Sequence, residues 1–195
     1  MKKAEKTELT KKKILHQAMQ KFGSKGYRGA SLNAICEAGI PKGLLYHNFK
    51  NKDALYLACV AECFRALTNC FKEAKIGNDL EKYMRVRMAF FNEHEMEARI
   101  FFDAVLQPPE ALYDQISDLK KEFDALNKTI YQQVLYSIEL REGITQGENT
   151  AHPDGDGHCN SFCRIFVQHI PDALPSSEFH ADGHGVFRYL LQHGL

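Results

Sequence analysis

Apolar residues recur at intervals of three and four along the first 142 residues of this chain, which is the spacing of amphipathic helices. Between Thr10 and Phe22 the apolar positions form one stripe, with lysines outside it: Ile14, Leu15, Ala18, Met19 and Phe22. Gly23 and Gly26 are expected to end this first helix. No strand-like alternation appears in the following hundred residues. The pattern therefore predicts an all-α protein.

Two short helices are predicted next. Ser31 is a favoured capping residue, and the helix after it should turn Leu32, Ile35 and Cys36 inward. Gly39 supplies the positive φ of a tight turn. Two short helices joined by such a turn form a helix-turn-helix unit.

The second of these helices is expected from Pro41, at its first position, to about His47. Leu44 and Leu45 should anchor it in the core. The remaining side chains can point outward: Lys42, Gly43, Tyr46 and His47.

Longer helices are predicted beyond residue 50. Asn51 should cap the first, with Asp53 in its first turn. Residues 76–79 break the pattern, helices follow over 80–91 and 95–106, and Pro108-Pro109 interrupts again. The near-heptad spacing after it predicts one long helix from Glu110 to about Glu139.

Residues 31–55 strongly resemble the DNA-binding domain of the TetR/AcrR family of transcriptional regulators. The specific, gap-free part is Gly39-Ile40-x-Lys42-Gly43-x-Leu45-Tyr46-x-x-Phe49-x-x-Lys52. The residues Ile14, Ala18, Phe22 and Gly26-Tyr27 resemble the first helix of that family. The resemblance implies a three-helix DNA-binding domain over residues 1–50 and a helical ligand-binding and dimerising domain over 51–145. Pro41 departs from the family pattern, where Ser or Thr is usual, so a cap and a phosphate contact are lost.

The resemblance also implies which residues meet DNA. Tyr46, His47 and Lys52 would contact phosphates, since they offer a hydroxyl, an N–H and a charge at a helix N-terminus. Lys42 and Gly43 begin a helix that can enter the major groove, because glycine permits close backbone approach. The full expected set is Arg28, Ser31, Pro41, Lys42, Gly43, Tyr46, His47 and Lys52. Two alternatives stay open: Tyr46 packs on Phe49 as core, or His47 is ordinary surface.

Charge is divided unevenly along a chain whose net charge is zero. Residues 1–52 hold 12 of the 25 lysines and arginines but only 3 of the 25 acidic residues. In the rest of the chain, acidic residues outnumber lysines and arginines by as many as lysines and arginines outnumber acidic residues in the first segment. Such asymmetry indicates that the first segment meets a polyanion.

An aromatic and methionine-rich stretch is predicted to line a ligand site: Tyr83, Met84, Met88, Phe91, Phe101, Phe102 and Tyr113. Ordinary core packing is the competing interpretation. Cys59, Cys63 and Cys70 lie near one helix face, where burial is favoured over a redox or zinc role. No metal or cofactor is predicted.

Residues 146–195 lose the helical period and are predicted to be an atypical tail in place of the dimerisation helices that the family resemblance implies. One hypothesis is that this tail is read out of frame. The alternative is a genuine, divergent terminus that still folds.

The sequence therefore predicts a ligand-responsive transcriptional repressor that binds a palindromic operator in double-stranded DNA as a homodimer and is released by a small-molecule effector. A cytoplasmic protein is expected, since six cysteines without a signal sequence or membrane span are typical of reduced thiols. An enzyme using residues 83–113 is disfavoured, because no nucleophile–base pair is evident. A monomeric, non-specific DNA binder remains the other alternative.

Overall fold

The computed structural model describes residues 3–137, and every element in that range is helical. This confirms the all-α prediction for the described part, and the expectations for residues 146–195 lie outside it. The elements are α1 Lys3–Gly29, α2 Leu32–Cys36, α3 Lys42–Asn48, α4 Lys52–Ala74, α5 Leu80–Glu93, α6 Glu95–Leu106, a 3₁₀ turn Glu110–Leu112, α7 Tyr113–Leu119 and α8 Lys121–Ser137.

The end of α1 differs from the prediction at Gly23. That residue stays within the helix, and the break falls at Gly26, whose φ is 65°. Gly23 serves a close approach between helices instead: a Cβ there would lie 2.9 Å from the Met96 carbonyl oxygen of α6. A tertiary contact, and not a helix end, therefore explains this glycine.

The turn chemistry of α2 is as predicted. The Ser31 side chain accepts a hydrogen bond from the Ala34 amide at 3.1 Å and caps the helix. Ile35 is fully buried, and Gly39 has a φ of 94°. These features fix the angle at which α3 leaves α2.

Two predictions for α3 were wrong in detail. Pro41 is the N-cap and not the first helical residue, since its extended backbone lets its carbonyl accept from the Leu44 and Leu45 amides. Leu45 is fully buried, but Leu44 is 38% exposed, because adjacent positions of so short a helix cannot both face one core.

The core is built around α4, which packs against α1, α5, α6, α7 and α8. Its cap is as predicted, with the Asn51 side chain accepting from the Ala54 amide at 2.8 Å. Phe64, Phe71 and Phe123 form a ring cluster with Phe101 and Tyr83. By length and composition α4 could cross a membrane, but half of its apolar window is buried inside the molecule, as in the core helix of a globular bundle.

The single long helix predicted over residues 110–139 was wrong. The segment is divided into the 3₁₀ turn, α7 and α8, with a break at Lys120. Ile116 before the break and Phe123 after it are both buried. Apolar residues keep the same three- and four-residue spacing on both sides of Lys120. Periodicity alone therefore could not reveal the break between α7 and α8.

Candidate nucleic-acid interface

The exposed side of α3 carries the residues expected to meet DNA. Lys42, Gly43, Tyr46 and His47 are all exposed, whereas Leu45 on the opposite side is fully buried. Tyr46 has 46% of its surface exposed, so the alternative that it packs on Phe49 as core is wrong. The helix is thus fastened by one leucine and offers its polar face outward.

The beginning of α3 leaves room for a close partner. A Cβ added at Gly43 would meet no atom within 4 Å. Nothing inside the molecule therefore requires glycine at this position. The first amides of a helix also lack partners within it. The N-terminal end of α3 can therefore donate hydrogen bonds to acceptors outside the molecule.

The other expected residues surround this face. Arg28, Ser31 and Pro41 are exposed, and Lys52 is half-buried at the first position of α4. The Ser31 oxygen is engaged in capping α2, which leaves its hydroxyl hydrogen for an outside acceptor. Arg28 and Lys52 are brought together, since the Lys52 ammonium donates to the Arg28 carbonyl oxygen at 3.4 Å.

Tyr27 and Asp53 lie beside Lys52 and were not predicted from the sequence to belong to this site. The Tyr27 ring lies under the Lys52 ammonium, 4.5 Å from nitrogen to ring centroid. The Tyr27 hydroxyl donates to Asp53 at 2.5 Å, and this bond, with burial and the carboxylate charge, raises the pKa of Tyr27 to about 12. The only signal in the sequence was the Gly26-Tyr27 pair, because these partners lie 26 positions apart.

Four of the seven expected ligand-site residues are buried in the helical core, and the other three are not. Phe91, Phe101 and Phe102 pack with ring centroids 5.0–5.4 Å apart. Tyr83 is buried against Phe71. Met84 and Met88 are half-buried, and Tyr113 is 36% exposed at the beginning of α7.

A buried polar group at Tyr83 was also missed. The Tyr83 hydroxyl donates to the Asn127 side chain at 2.7 Å and accepts from the Arg87 guanidinium at 3.1 Å. Arg87 is only 3% exposed, and its guanidinium lies 5.6 Å from the Phe91 ring centroid. The four-residue spacing of Tyr83 and Arg87 places both on one side of α5 and was the available signal.

The cysteines of α4 behave as core residues. Cys59 and Cys63 are buried, and burial raises the pKa of both thiols. Cys70 is half-buried, and its pKa is also raised by burial. Within residues 3–137, no three His, Cys, Asp or Glu side chains are grouped so as to hold a metal ion.

Comparison with known proteins finds a family match in the N-terminal part of the chain. Residues 14–59 match the family described as "Bacterial regulatory proteins, tetR family". This segment contains α2, α3 and most of the face described above. The likeness to the tetR family is therefore shown for this N-terminal segment of the chain.

Individual relatives of this chain are transcriptional regulators. The HTH-type transcriptional regulator RutR of Escherichia coli K12 is 30% identical over 121 residues, which are 58% of this chain and 57% of RutR. The biofilm operon icaADBC negative transcriptional regulator IcaR of Staphylococcus epidermidis is 26% identical over 132 residues, covering 64% of this chain and 67% of IcaR. The alignment thus spans little more than half the length of RutR.

A solved structure shares the fold. The chain is similar to a tetR family transcription regulator from Shewanella sp. PV-4 with a TM-score of 0.61 and 18% identity. The match covers 95% of this chain and 87% of that protein. At this identity the likeness concerns architecture alone.

Proposed function

We propose that this protein is a ligand-responsive repressor that binds a palindromic operator as a homodimer in the cytoplasm. The observation that carries the proposal is the exposed face of α3, where Lys42, Gly43, Tyr46 and His47 surround an open helix beginning. A helix presented in this way fits the major groove of B-DNA, which is about 12 Å wide. Names of relatives support regulation and, for IcaR, repression.

Two kinds of contact are expected from this face. Lys42 and Gly43 would approach base edges, because a helix-turn-helix reads bases with the first residues of its second helix. Tyr46, His47, Lys52 and Arg28 would contact phosphates, which position the protein without reading sequence. The net positive charge of residues 1–52 would add an electrostatic attraction that falls with salt.

Release by an effector would act through α6. This helix carries Phe101 and Phe102 of the proposed ligand site and also packs along α1, at the close approach between Met96 and Gly23. An effector that binds better to one position of α6 would favour the matching position of α1 and the helix-turn-helix. We retain the division into residues 1–50, 51–145 and 146–195 as part of this proposal, with the seven aromatic and methionine residues as its ligand site.

Salt dependence of binding tests the phosphate assignment. An operator is first selected from genomic fragments with the full chain. For Lys52→Ala we expect weaker binding to all sequences and a plot of log affinity against log salt that is shallower by about 0.9, because one phosphate contact is lost. Lys42→Ala should instead change sequence preference. The measurement is fluorescence anisotropy at several salt concentrations.

Lys128→Ala is the matched control, since it removes the same charge from an exposed position on α8. Its slope should equal that of the wild type. Equal slopes for wild type and Lys52→Ala would contradict the phosphate assignment. Sedimentation of the same samples checks the dimer: a monomer at micromolar concentration would favour a non-specific DNA binder.

A further inference from the structure

The ammonium group of Lys52 is held before any DNA arrives. Its nitrogen lies over the face of the Tyr27 ring, 4.5 Å from the centroid, and donates to the Arg28 carbonyl oxygen at 3.4 Å. The ring quadrupole attracts a cation placed over the ring face. An ammonium has three N–H donors, so two remain for an outside acceptor after the carbonyl takes one.

The Tyr27 ring is itself fastened on two sides. Its hydroxyl donates to Asp53 at 2.5 Å, in the first turn of α4. Its ring packs on the buried Tyr56 with centroids 4.9 Å apart. The ring therefore links the core to the surface at the point where the end of α1 meets the beginning of α4.

The same bond engages an acidic group that would work against DNA. Asp53 follows Lys52 directly, and a carboxylate near a phosphate is repelled by it. Because the Tyr27 hydroxyl donates to this carboxylate, the oxygen is turned toward α1. The Tyr27 side chain thus holds the Lys52 ammonium and also restrains the Asp53 carboxylate.

We propose that Tyr27 is a positioning residue for the contact between Lys52 and a DNA phosphate. This inference rests on the proposed DNA-binding function and deepens it. A free lysine side chain loses much rotamer freedom when it is immobilised. Holding the ammonium over the Tyr27 ring in the unbound protein removes part of that cost from the binding step.

A double-mutant cycle tests the proposal. The full chain is titrated into a fluorescein-labelled DNA duplex of mixed sequence, with Tyr27→Leu, Lys52→Met and the double variant compared by anisotropy. Tyr27→Leu should weaken binding about three-fold in the wild-type background, the scale of the cost of ordering one flexible side chain on binding. In the Lys52→Met background the same change should cost clearly less, because the ammonium that Tyr27 positions is gone and only the release of Asp53 remains.

Two controls separate positioning from a structural role. In a Lys42→Met background, Tyr27→Leu should still cost about three-fold, since that lysine is not held by Tyr27. Tyr27→Phe keeps the ring under the ammonium but releases Asp53, so its affinity should lie between those of the wild type and Tyr27→Leu. Equal losses for Tyr27→Leu with and without Lys52 would overturn the proposal, as would a Tyr27→Phe variant as weak as Tyr27→Leu.

A measurement on the unaltered chain covers the case in which Tyr27→Leu fails to fold. The ε-methylene protons of Lys52 should show an upfield NMR shift from the ring, and this shift should persist in Tyr27→Phe. Ordinary shifts in the wild type would overturn the proposal. If the wild type does not bind the duplex, the proposed function fails; if Lys52→Met weakens binding and Tyr27→Leu does not, only this inference fails.

Discussion

At the scale of single residues, burial decides which polar and reactive groups can act. Tyr46 and His47 lie on an exposed face of α3, whereas the thiols of Cys59 and Cys63 lie inside the core. Buried thiols stay protonated because the low-dielectric interior disfavours the thiolate, which is the reactive form. Position in the fold therefore separates side chains that are accessible to a partner from side chains that fill the core.

Thiol labelling tests this distinction. With a thiol reagent at pH 8, Cys59 and Cys63 should remain unmodified in the folded chain and react on addition of denaturant, as mapped by peptide mass spectrometry. Rapid modification of either residue under native conditions, at the rate seen in denaturant, would show that these thiols are not buried core groups.

The raised thiol pKa values also predict a pH dependence of stability. The unfolded thiol ionises near its ordinary value of 9.0, whereas the folded thiols remain protonated well above it. Their contribution to stability is therefore fully present below pH 9.0 and is lost as the pH rises toward the folded values. Urea unfolding of Cys59→Ala and the wild type at pH 7 and pH 10 should show a smaller difference at the higher pH.

At the scale of elements, local signals in the sequence predicted the caps of α2 and α4 and the turn at Gly39, and failed at contacts between helices. Ser31, Gly39 and Asn51 act through neighbours within a few residues, so their roles could be read from residue type and spacing. Gly23 and Tyr27 act through partners far along the chain. No local pattern encodes those partners, and the same holds for the polar group at Tyr83.

A pair of glycine substitutions tests the close approach of α1 to α6. Gly23→Ala should lower the free energy of unfolding by about 1–2 kcal/mol, because its Cβ must displace the Met96 backbone and this cost exceeds the gain in helix propensity. Gly43→Ala is the matched control, since its Cβ meets open space. It should leave stability unchanged, or raise it by at most about 1 kcal/mol, while weakening DNA binding.

Urea denaturation followed by circular dichroism measures both variants. A Gly23→Ala variant as stable as the wild type would show that α1 and α6 are not in close backbone contact. A Gly43→Ala variant that loses stability would place this residue inside the fold and away from DNA.

At the scale of the whole molecule, one helical bundle contains both the exposed face of α3 and the aromatic core. The helical class and the exposure of Lys42, Tyr46 and His47 on α3 could be predicted from the spacing of apolar residues along the chain. The division of residues 110–137 into three elements could not, since the apolar phase continues through the break at Lys120. Both α7 and α8 pack on α4, through contacts that a local sequence pattern does not encode.

In the proposed mechanism, α6 connects the aromatic core to the exposed face of α3. The same helix holds Phe101 and Phe102 in the core and lies against Gly23 of α1. Closely packed interiors have discrete arrangements and transmit small displacements. In this proposal, a ligand in the core would therefore shift the position of α1 and of the exposed face of α3. The Gly23→Ala variant should therefore also alter effector response if an effector is found.

Dimethyl sulfate protection of the selected operator tests the central claim most directly, because this reagent methylates guanine N7 in the major groove and adenine N3 in the minor groove. With α3 in the major groove, the full chain should protect guanine N7 atoms within each half-site, and Lys42→Ala should lose protection at one base pair while adenine N3 stays reactive. Protection confined to adenine N3, with every guanine N7 still methylated, would contradict the placement of α3 in the major groove.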